Sequence, residues 1–149
     1  MLKIARHDFV DLGEVAQINQ KNIELQVSVG EHLPKVMADS EKTAWVLTNL
    51  VSNAIRYSYD NAAVHISVAA VNGEVIFDVT DKGQGIAPQY IDKIFDRYFR
   101  IPGNKKEGTG LGLAISREFV AAQGGTITVK SEFGAGSTFK VILPANHEA

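Results

Sequence analysis

The sequence predicts an α+β fold, a two-layer α/β sandwich in which a mixed, mostly antiparallel sheet carries three main helices on one face. Segments that alternate apolar and polar residues come mostly in adjacent pairs, which favours antiparallel strands. Segments with apolar residues at helical spacing separate these pairs, so the predicted order is α-β-β-α-β-β-α-α-β-β. The chain has 149 residues, enough for one domain with a substantial core.

The first part of the chain is predicted to hold a stub, a short helix and two strands. Residues 1–10 show no clear element boundary, and a short helical pattern covers residues 11–18. Residues 23–29 alternate apolar and polar side chains, as a half-buried strand does. A break at residues 30–34 precedes a second short strand, residues 35–38.

The longest predicted helix extends from about residue 40 to residue 57. Asp39 or Ser40 can cap its N-terminus, and Glu41 places a negative charge in the first turn, where it suits the helix dipole. Apolar residues at helical spacing give this helix one face to bury. They are Leu47, Leu50, Val51, Ala54 and Ile55.

Two strand pairs and two helical segments are predicted in the rest of the chain. The strands are residues 64–69, 75–79, 126–130 and 137–143. Asn72-Gly73 suits a tight hairpin turn between the first two. Pro88 opens a helical pattern that continues through Phe99, and a further helix over residues 111–123 ends at two glycines.

Composition excludes several classes of protein. Apolar residues make up 45% and charged residues 21%, with a net charge of −2, so neither a disordered chain nor a nucleic-acid-binding surface is indicated. The absence of cysteine excludes disulfides, thiolate metal sites and thiol nucleophiles. The sequence shows no segment as long as a membrane-spanning helix and no signal peptide, and its four histidines lack metal-ligand spacing.

Four polar residues follow one another along a face of the longest helix. Asn49 and Asn53 lie four positions apart, and Arg56 and Tyr57 extend the same face by a turn. An amide oxygen is a hard ligand for Mg²⁺, a guanidinium can meet phosphate, and a phenol ring can lie beside a base. The set suits a polyphosphate nucleotide, and the alternative is a solvated helix face.

An acidic residue and two glycines stand at the end of a predicted strand. Asp81 could accept a hydrogen bond from an exocyclic amine such as that of adenine. Gly83 and Gly85, which precede Ile86, would let the backbone pass close to a flat ring. The alternative is a plain strand–turn–helix corner.

A glycine-rich segment opens the last predicted helix. Ten of the thirteen glycines lie between Gly83 and Gly136, and Gly108 to Leu113 reads GTGLGL. Free N–H groups and the positive end of the dipole at a helix start can hold phosphate, although a glycine hinge is the alternative. Residues 93–107 carry five cations against two anions, a local charge of +3 beside these glycines.

Taken in order, these motifs resemble those of the catalytic ATP-binding domain of sensor histidine kinases, in the gyrase–Hsp90–kinase–MutL superfamily, whose structure is the Bergerat fold. The resemblance covers about residues 12–144. It is carried by segments similar to the N box, the G1 box, the F box, the G2 box and the final glycine motif of that family. In this chain they are residues 49–58, 81–86, 94–100, 108–113 and 134–139.

The resemblance implies that Asn53 is the Mg²⁺ ligand, with Asn49 beside it, and that Asp81 accepts from the adenine amine. Arg56 stands where the family has a lysine near the phosphates. The remaining implied contacts fall into groups by their place around ATP. They are Tyr57, Gly83, Gly85 and Ile86 around the base with Thr138 behind its pocket, Phe95, Arg97, Phe99 and Arg100 in a lid of residues 87–107, and Gly108, Thr109, Gly110, Leu111, Gly112 and Leu113 around the triphosphate.

The resemblance also implies a function. Residues 11–149 would be a catalytic domain that binds Mg·ATP and donates the γ-phosphoryl to a histidine on a separate dimerisation and phosphoacceptor domain, with a response regulator as the next acceptor. Residues 1–10 would be the remnant of the preceding dimerisation helix. The alternatives are a conformational ATPase of the wider superfamily and a catalytically silent nucleotide-binding module.

Departures from the family pattern shape the remaining expectations. The phosphoacceptor motif does not continue after His7-Asp8, so no catalytic residue is assignable and the isolated chain should barely turn ATP over. The first helix is shorter than in the family, and Arg56 offers a planar fork instead of a point charge. The isolated chain is expected to be monomeric and to come from the cytoplasmic part of a protein anchored in the inner membrane.

Overall fold

A five-stranded mixed sheet forms one layer of the computed structural model, which describes residues 18–30, 40–102 and 110–145. The strands are β1 (Glu24–Val29), β2 (Ala63–Val71), β3 (Glu74–Asp81), β4 (Thr126–Glu132) and β5 (Gly136–Pro144). Their spatial order is β1-β2-β3-β5-β4, with β1 parallel to β2 and every other neighbouring pair antiparallel. The predicted mixed, mostly antiparallel sheet is confirmed.

Helices cover one face of this sheet. The main ones are α1 (Ser40–Tyr57) and α2 (Gly112–Ala122), and residues 18–21 are also helical. Alternate side chains of the strands point toward the helices, so β3 buries Val75, Phe77 and Val79. The whole predicted apolar stripe of α1 is buried against them. The α+β prediction with helices on one face is therefore confirmed.

The opposite face of the sheet carries polar side chains. Asp78 and Thr80 of β3 are half-buried there, and Lys140 and Thr138 of β5 lie directly across from them. The hydroxyls of Thr80 and Thr138 are 3.0 Å apart. Because neighbouring residues of a strand point to opposite faces, the side chains on this polar face do not reach the side of the sheet that the helices cover.

The helix predicted from Pro88 through Phe99 is wrong. A 3-10 helix covers Pro88–Tyr90, and successive turns follow. The apolar residues of this segment still reach the core, since Ile94 is buried and Phe95 and Phe99 pack against it. Tyr98 has a φ of 65°, which no right-handed helix accommodates. The apolar spacing reflects anchoring to the core and does not reflect a regular helix.

Several predictions lie outside the described residues. They are the stub of residues 1–10, most of the helix of residues 11–18, the short strand of residues 35–38 and the loop of residues 105–109. Within the described ranges, no helix has both the length and the apolar character needed to cross a membrane.

The outer surfaces of α1 and α2 meet through aromatic side chains. Trp45 of α1 is 41% exposed and lies edge-on to Phe119 of α2, with ring centroids 5.4 Å apart. The ammonium of Lys42 lies over the Phe119 ring, 5.4 Å from its centroid. Thr43 and Gln123 add a hydrogen bond of 3.3 Å between the same helices. These contacts tie the two helices together away from the sheet.

Replacing Phe77 by Ala is expected to cost about 3 to 5 kcal/mol of unfolding free energy, because Phe77 is a large, fully buried side chain at the centre of the sheet. Urea unfolding followed by circular dichroism measures the loss. Phe133→Ala is the control, since Phe133 is 70% exposed and its removal should change stability by less than about 0.5 kcal/mol. Equal losses in both variants would contradict the assignment of the core.

Candidate functional site

One cavity of about 340 Å³ lies between the C-terminal half of α1, the loop after β3, the segment of residues 94–101 and the start of α2. Most of the predicted site residues line it. They are Asn49, Asn53, Arg56, Tyr57, Asp81, Gly85, Ile86, Phe99, Arg100, Gly110, Gly112 and Leu113. The fold thus brings side chains from distant parts of the sequence to one concave site.

Contacts with α2 fix the position of Asn49 at the wall of the cavity. Its amide nitrogen Nδ2 donates to Ser116 Oγ at 3.2 Å, and that hydroxyl donates to the carbonyl oxygen of Gly112 at 2.8 Å. A Cβ on Gly112 would lie only 2.6 Å from Asn49 Oδ1. Glycine at position 112 therefore lets the start of α2 approach the amide of α1.

Asp81 places a carboxyl group without a full set of partners in the cavity wall. The residue is 6% exposed, and its Oδ1 atom is buried with no hydrogen-bond partner. Burial raises the pKa of Asp81 to about 6, while the backbone N–H of Ser137 and the positive charge of Lys21 act in the opposite direction. A buried acceptor of this kind is stabilised by a ligand that brings a donor.

The two glycines after Asp81 are required by the protein's own backbone. A Cβ on Gly83 would lie 2.0 Å from the carbonyl oxygen of Tyr57, and Gly83 is not in the cavity lining. Gly85 has a φ of +66°, and a Cβ there would lie 2.2 Å from the carbonyl oxygen of Glu132. The space that a side chain would take at either position is therefore filled by protein backbone, and of the two glycines Gly85 lines the cavity.

Hydrogen bonds connect the loop after β3 to the β4–β5 hairpin. The backbone N–H of Ile86 donates to Ser131 Oγ at 2.7 Å, and this hydroxyl lies 2.8 Å from Ser137 Oγ. The N–H of Gly134 donates to the carbonyl oxygen of Gln84 at 2.8 Å. These bonds fix the loop that carries the cavity residues Gln84, Gly85 and Ile86.

The segment that follows the 3-10 helix is anchored by side chains that point away from the cavity. Phe95 packs edge-on against Phe139 with centroids 6.2 Å apart, and Arg117 lies over the Phe95 ring. Arg97 forms an ion pair with Glu118 of α2, and both side chains are more than half exposed. The structure thus places Arg100 on the cavity and leaves Phe95 and Arg97 outside its lining.

Thr138, which the resemblance places behind the base pocket, does not line the cavity. Its side chain lies on the polar face of the sheet, whereas its neighbours Ser137 and Phe139 line the cavity. The alternation along β5 contains the signal, because the apolar Val141 and Leu143 share the face of Ser137 and Phe139. Leu111 precedes α2 and does not line the cavity either.

Sequence reasoning missed several lining residues, and some predicted ones cannot be placed. The missed residues are Ala54, Gln84, Ile94, Ile101, Ser137 and Phe139. All of them except Ile101 lie inside motifs that the sequence had already indicated. Gly108 and Thr109 lie outside the described residues.

The donor chemistry of the cavity limits how a metal ion could be held. In the described parts of the chain, no group of three His, Asp or Glu side chains could hold a metal ion. Asn53 contributes an amide oxygen to the lining, and such oxygens are ligands that Mg²⁺ accepts when substrate phosphates and water supply the others. The residues present therefore fit a magnesium ion that enters together with a phosphate-bearing ligand.

Sequence comparison gives a consistent family. Residues 38–147 match the family model described as histidine kinase-, DNA gyrase B-, and HSP90-like ATPase. The sensor histidine kinase ZraS of Escherichia coli (strain K12) is 40% identical over 128 residues, which cover 86% of this chain and 27% of that protein. This chain thus spans about a fifth to about a quarter of the length of the curated relatives it matches.

Solved structures show the same fold. The catalytic domain of the histidine kinase ThkA superposes with a TM-score of 0.79 and 28% identity, over 94% of this chain and 89% of that one. Full-length ShkA in complex with AMPPNP gives a TM-score of 0.78 and 31% identity, over 100% of this chain and 33% of that one. The resemblance inferred from the five motifs is confirmed by both kinds of comparison.

Proposed function

The chain belongs to the histidine kinase-, DNA gyrase B- and HSP90-like ATPase family, and from this premise we propose that it is the catalytic domain of a sensor histidine kinase. It binds Mg·ATP and donates the γ-phosphoryl to a histidine on a separate helical dimerisation and phosphoacceptor domain. A response-regulator aspartate then receives the phosphoryl group. Residues 1–10 would be the end of that helical domain, and residues 11–149 the catalytic domain.

The observation that carries this proposal is the buried Asp81 carboxyl in the cavity wall. Its Oδ1 atom lacks a hydrogen-bond partner, and an adenine exocyclic amine would supply the missing donor. Tyr57 and Ile86 line the same cavity and offer apolar surface to a base. Binding of AMPPNP by ShkA, a structural neighbour, supports an adenine nucleotide as the ligand.

The same cavity also offers groups that suit the phosphates. Arg56 and Arg100 contribute guanidinium groups to the lining, and Gly110 and Gly112 bring backbone to the start of α2. Positive charge and the N–H groups of a helix start both stabilise a triphosphate. We assign the lining residues from α1, the loop after β3 and the start of α2 to the ATP site, and Arg97, Phe95 and Thr138 to its surroundings.

Magnesium fits this site through Asn53. When bound with ATP, Mg²⁺ neutralises charge on the phosphates during phosphoryl transfer. The protein holds the nucleotide, orients the triphosphate and excludes water from the base, and the acceptor histidine would be the nucleophile. No residue of this chain is assigned as a base. We further propose that the parent protein is anchored in the inner membrane with this domain in the cytoplasm.

A phosphotransfer assay in trans tests the proposal. The chain is mixed with γ-³²P-labelled ATP, Mg²⁺ and a separately produced helical phosphoacceptor domain from a sensor histidine kinase. We expect acid-labile label on the acceptor histidine, and none when that histidine is replaced by Gln. Firm ATP binding without phosphohistidine on any acceptor, including that of the parent protein, would instead favour a catalytically silent nucleotide-binding module.

A further inference from the structure

Lys21 makes two contacts that the proposed function does not use. Its ammonium Nζ donates to the carbonyl oxygens of Ile55 and Arg56, each at 2.9 Å. Lys21 belongs to the helical residues 18–21, far from α1 in sequence and outside every motif that identified the site. The half-buried ammonium is therefore held against the C-terminal end of α1.

The last four carbonyl groups of α1 all have hydrogen-bond partners, and Lys21 is the partner of two of them. The last four carbonyls of a helix lack partners inside it. The carbonyl of Ala54 accepts from the N–H of Ser58 at 3.0 Å, and that of Tyr57 accepts from the N–H of Gln84 at 3.4 Å. Lys21 satisfies the two between them, at the negative end of the helix dipole, where a cation is favourable.

This end of α1 carries site residues and is joined to the loop that follows Asp81. Arg56 and Tyr57 line the cavity. The N–H of Tyr59 donates to the carbonyl oxygen of Lys82 at 3.0 Å, so the chain after α1 is bonded to the chain after β3. The carbonyl oxygen of Lys21 itself accepts from the N–H of Asn61 at 2.8 Å, which fixes the lysine backbone at the same junction.

We propose that Lys21 is a positioning residue of the nucleotide site, whose ammonium orients the C-terminal end of α1 and brings a positive charge to its junction with the chain that carries Asp81. This inference rests on the proposed function for the identity of the ligand. The electrostatic part agrees with the direction in which Lys21 acts on the pKa of Asp81. Other ionisable groups lie on the elements that border the same cavity or follow Asp81 in the chain. They are Arg56 and Tyr57 of α1, Lys82 after β3 and Arg100 beyond the 3-10 helix.

The test compares Lys21→Met with Lys21→Arg and the parent chain. ATP affinity is measured by calorimetry between pH 5.5 and pH 8.5, and the ¹³C resonance of the Asp81 carboxyl is titrated by NMR without nucleotide. In the Met variant we expect the Asp81 midpoint to move above that of the parent. If the Asp81 midpoint rises by about one pH unit, the Met variant loses more ATP affinity than the parent as the pH falls from 8.5. The additional loss would be about twofold at pH 7 and about fivefold at pH 6. The Arg variant should restore the parent's midpoint.

The two readouts separate the possible failures. A structural role alone would lower ATP affinity by the same factor at every pH and leave the Asp81 midpoint in place, and either that result or no change would overturn the inference. Should Met destabilise the fold, Lys21→Gln removes the charge while keeping a donor and must show the same midpoint shift. A parent chain that fails to bind ATP would refute the proposed function, whereas the NMR titration would still decide the role of Lys21.

Discussion

Asp81→Asn is expected to weaken ATP binding strongly while stabilising the ligand-free protein at neutral pH. The amide cannot match the carboxylate as an acceptor for the adenine amine, and it directs an N–H donor into the base site. Loss of a charged acceptor that is buried with its ligand should weaken affinity by at least about a hundredfold. Calorimetric titration with Mg·ATP measures this loss.

The stability gain follows from the raised pKa of Asp81. Because the folded protein holds this proton up to about pH 6 and the unfolded chain loses it near 3.8, the folded state binds more protons between these values. Unfolding free energy of the parent therefore falls as pH rises through this window and then levels off. The Asn variant lacks this loss, so urea unfolding at pH 8 should show it more stable by about 2 to 3 kcal/mol, with little difference below pH 4.

Asp78→Asn is the matched control for both measurements. Asp78 lies on the same strand and also has a buried Oδ1 atom without a partner, but its side chain is on the opposite face of the sheet. Its replacement should leave ATP affinity unchanged. Full ATP binding by the Asp81 variant, or an equal loss in the Asp78 variant, would contradict the assignment of the base site.

Asn53→Ala is expected to remove the contribution of Mg²⁺ to ATP binding. The amide oxygen of Asn53 is the protein ligand that we propose for the ion, and alanine offers no replacement. Affinity for ATP with Mg²⁺ should fall roughly tenfold or more, about 1.4 kcal/mol. Affinity for adenosine, which has no phosphates, should be unchanged, because the base contacts lie at Asp81.

The measurement is a titration of ATP with Mg²⁺ and with a chelator. In the parent chain the chelator should weaken binding, and in the Asn53 variant it should have little effect. Ser52→Ala serves as the control, since Ser52 is the neighbouring residue of α1 and does not line the cavity. A variant that keeps its full dependence on Mg²⁺ would show that Asn53 is not the ligand.

Local periodicity was sufficient to predict the sheet and α1. Five strands alternate as their sequences suggest, and the stripe of α1 is buried as a unit. The helix predicted after Pro88 does not form, because contacts with the core hold the apolar residues of this segment and override any helical preference. Tyr98, which has the positive φ, is also held by its N–H, which donates to the carbonyl oxygen of Gly110 at 2.8 Å.

The site was predictable where single motifs carry the chemistry and not where distant segments meet. Asn49, Asn53 and Asp81 could be selected by their side-chain chemistry, and the fold brings them to one cavity. The roles of Lys21 and Ser131 depend on contacts with residues far away in sequence, which no local pattern reports. Gly83 lies in a motif that the sequence did reveal, but the reason for glycine there, its close approach to the backbone of Tyr57, could not be read from the sequence.

The aromatic contact between α1 and α2 makes the protein suitable for label-free spectroscopy. Trp45 is the single tryptophan of the chain, and its indole lies edge-on to Phe119. α1 also carries Asn49 and Asn53, and α2 begins at Gly112 on the cavity. Any change in the separation of these helices on ligand binding would alter the emission of one fluorophore, so stopped-flow fluorescence can time that rearrangement in the unmodified chain.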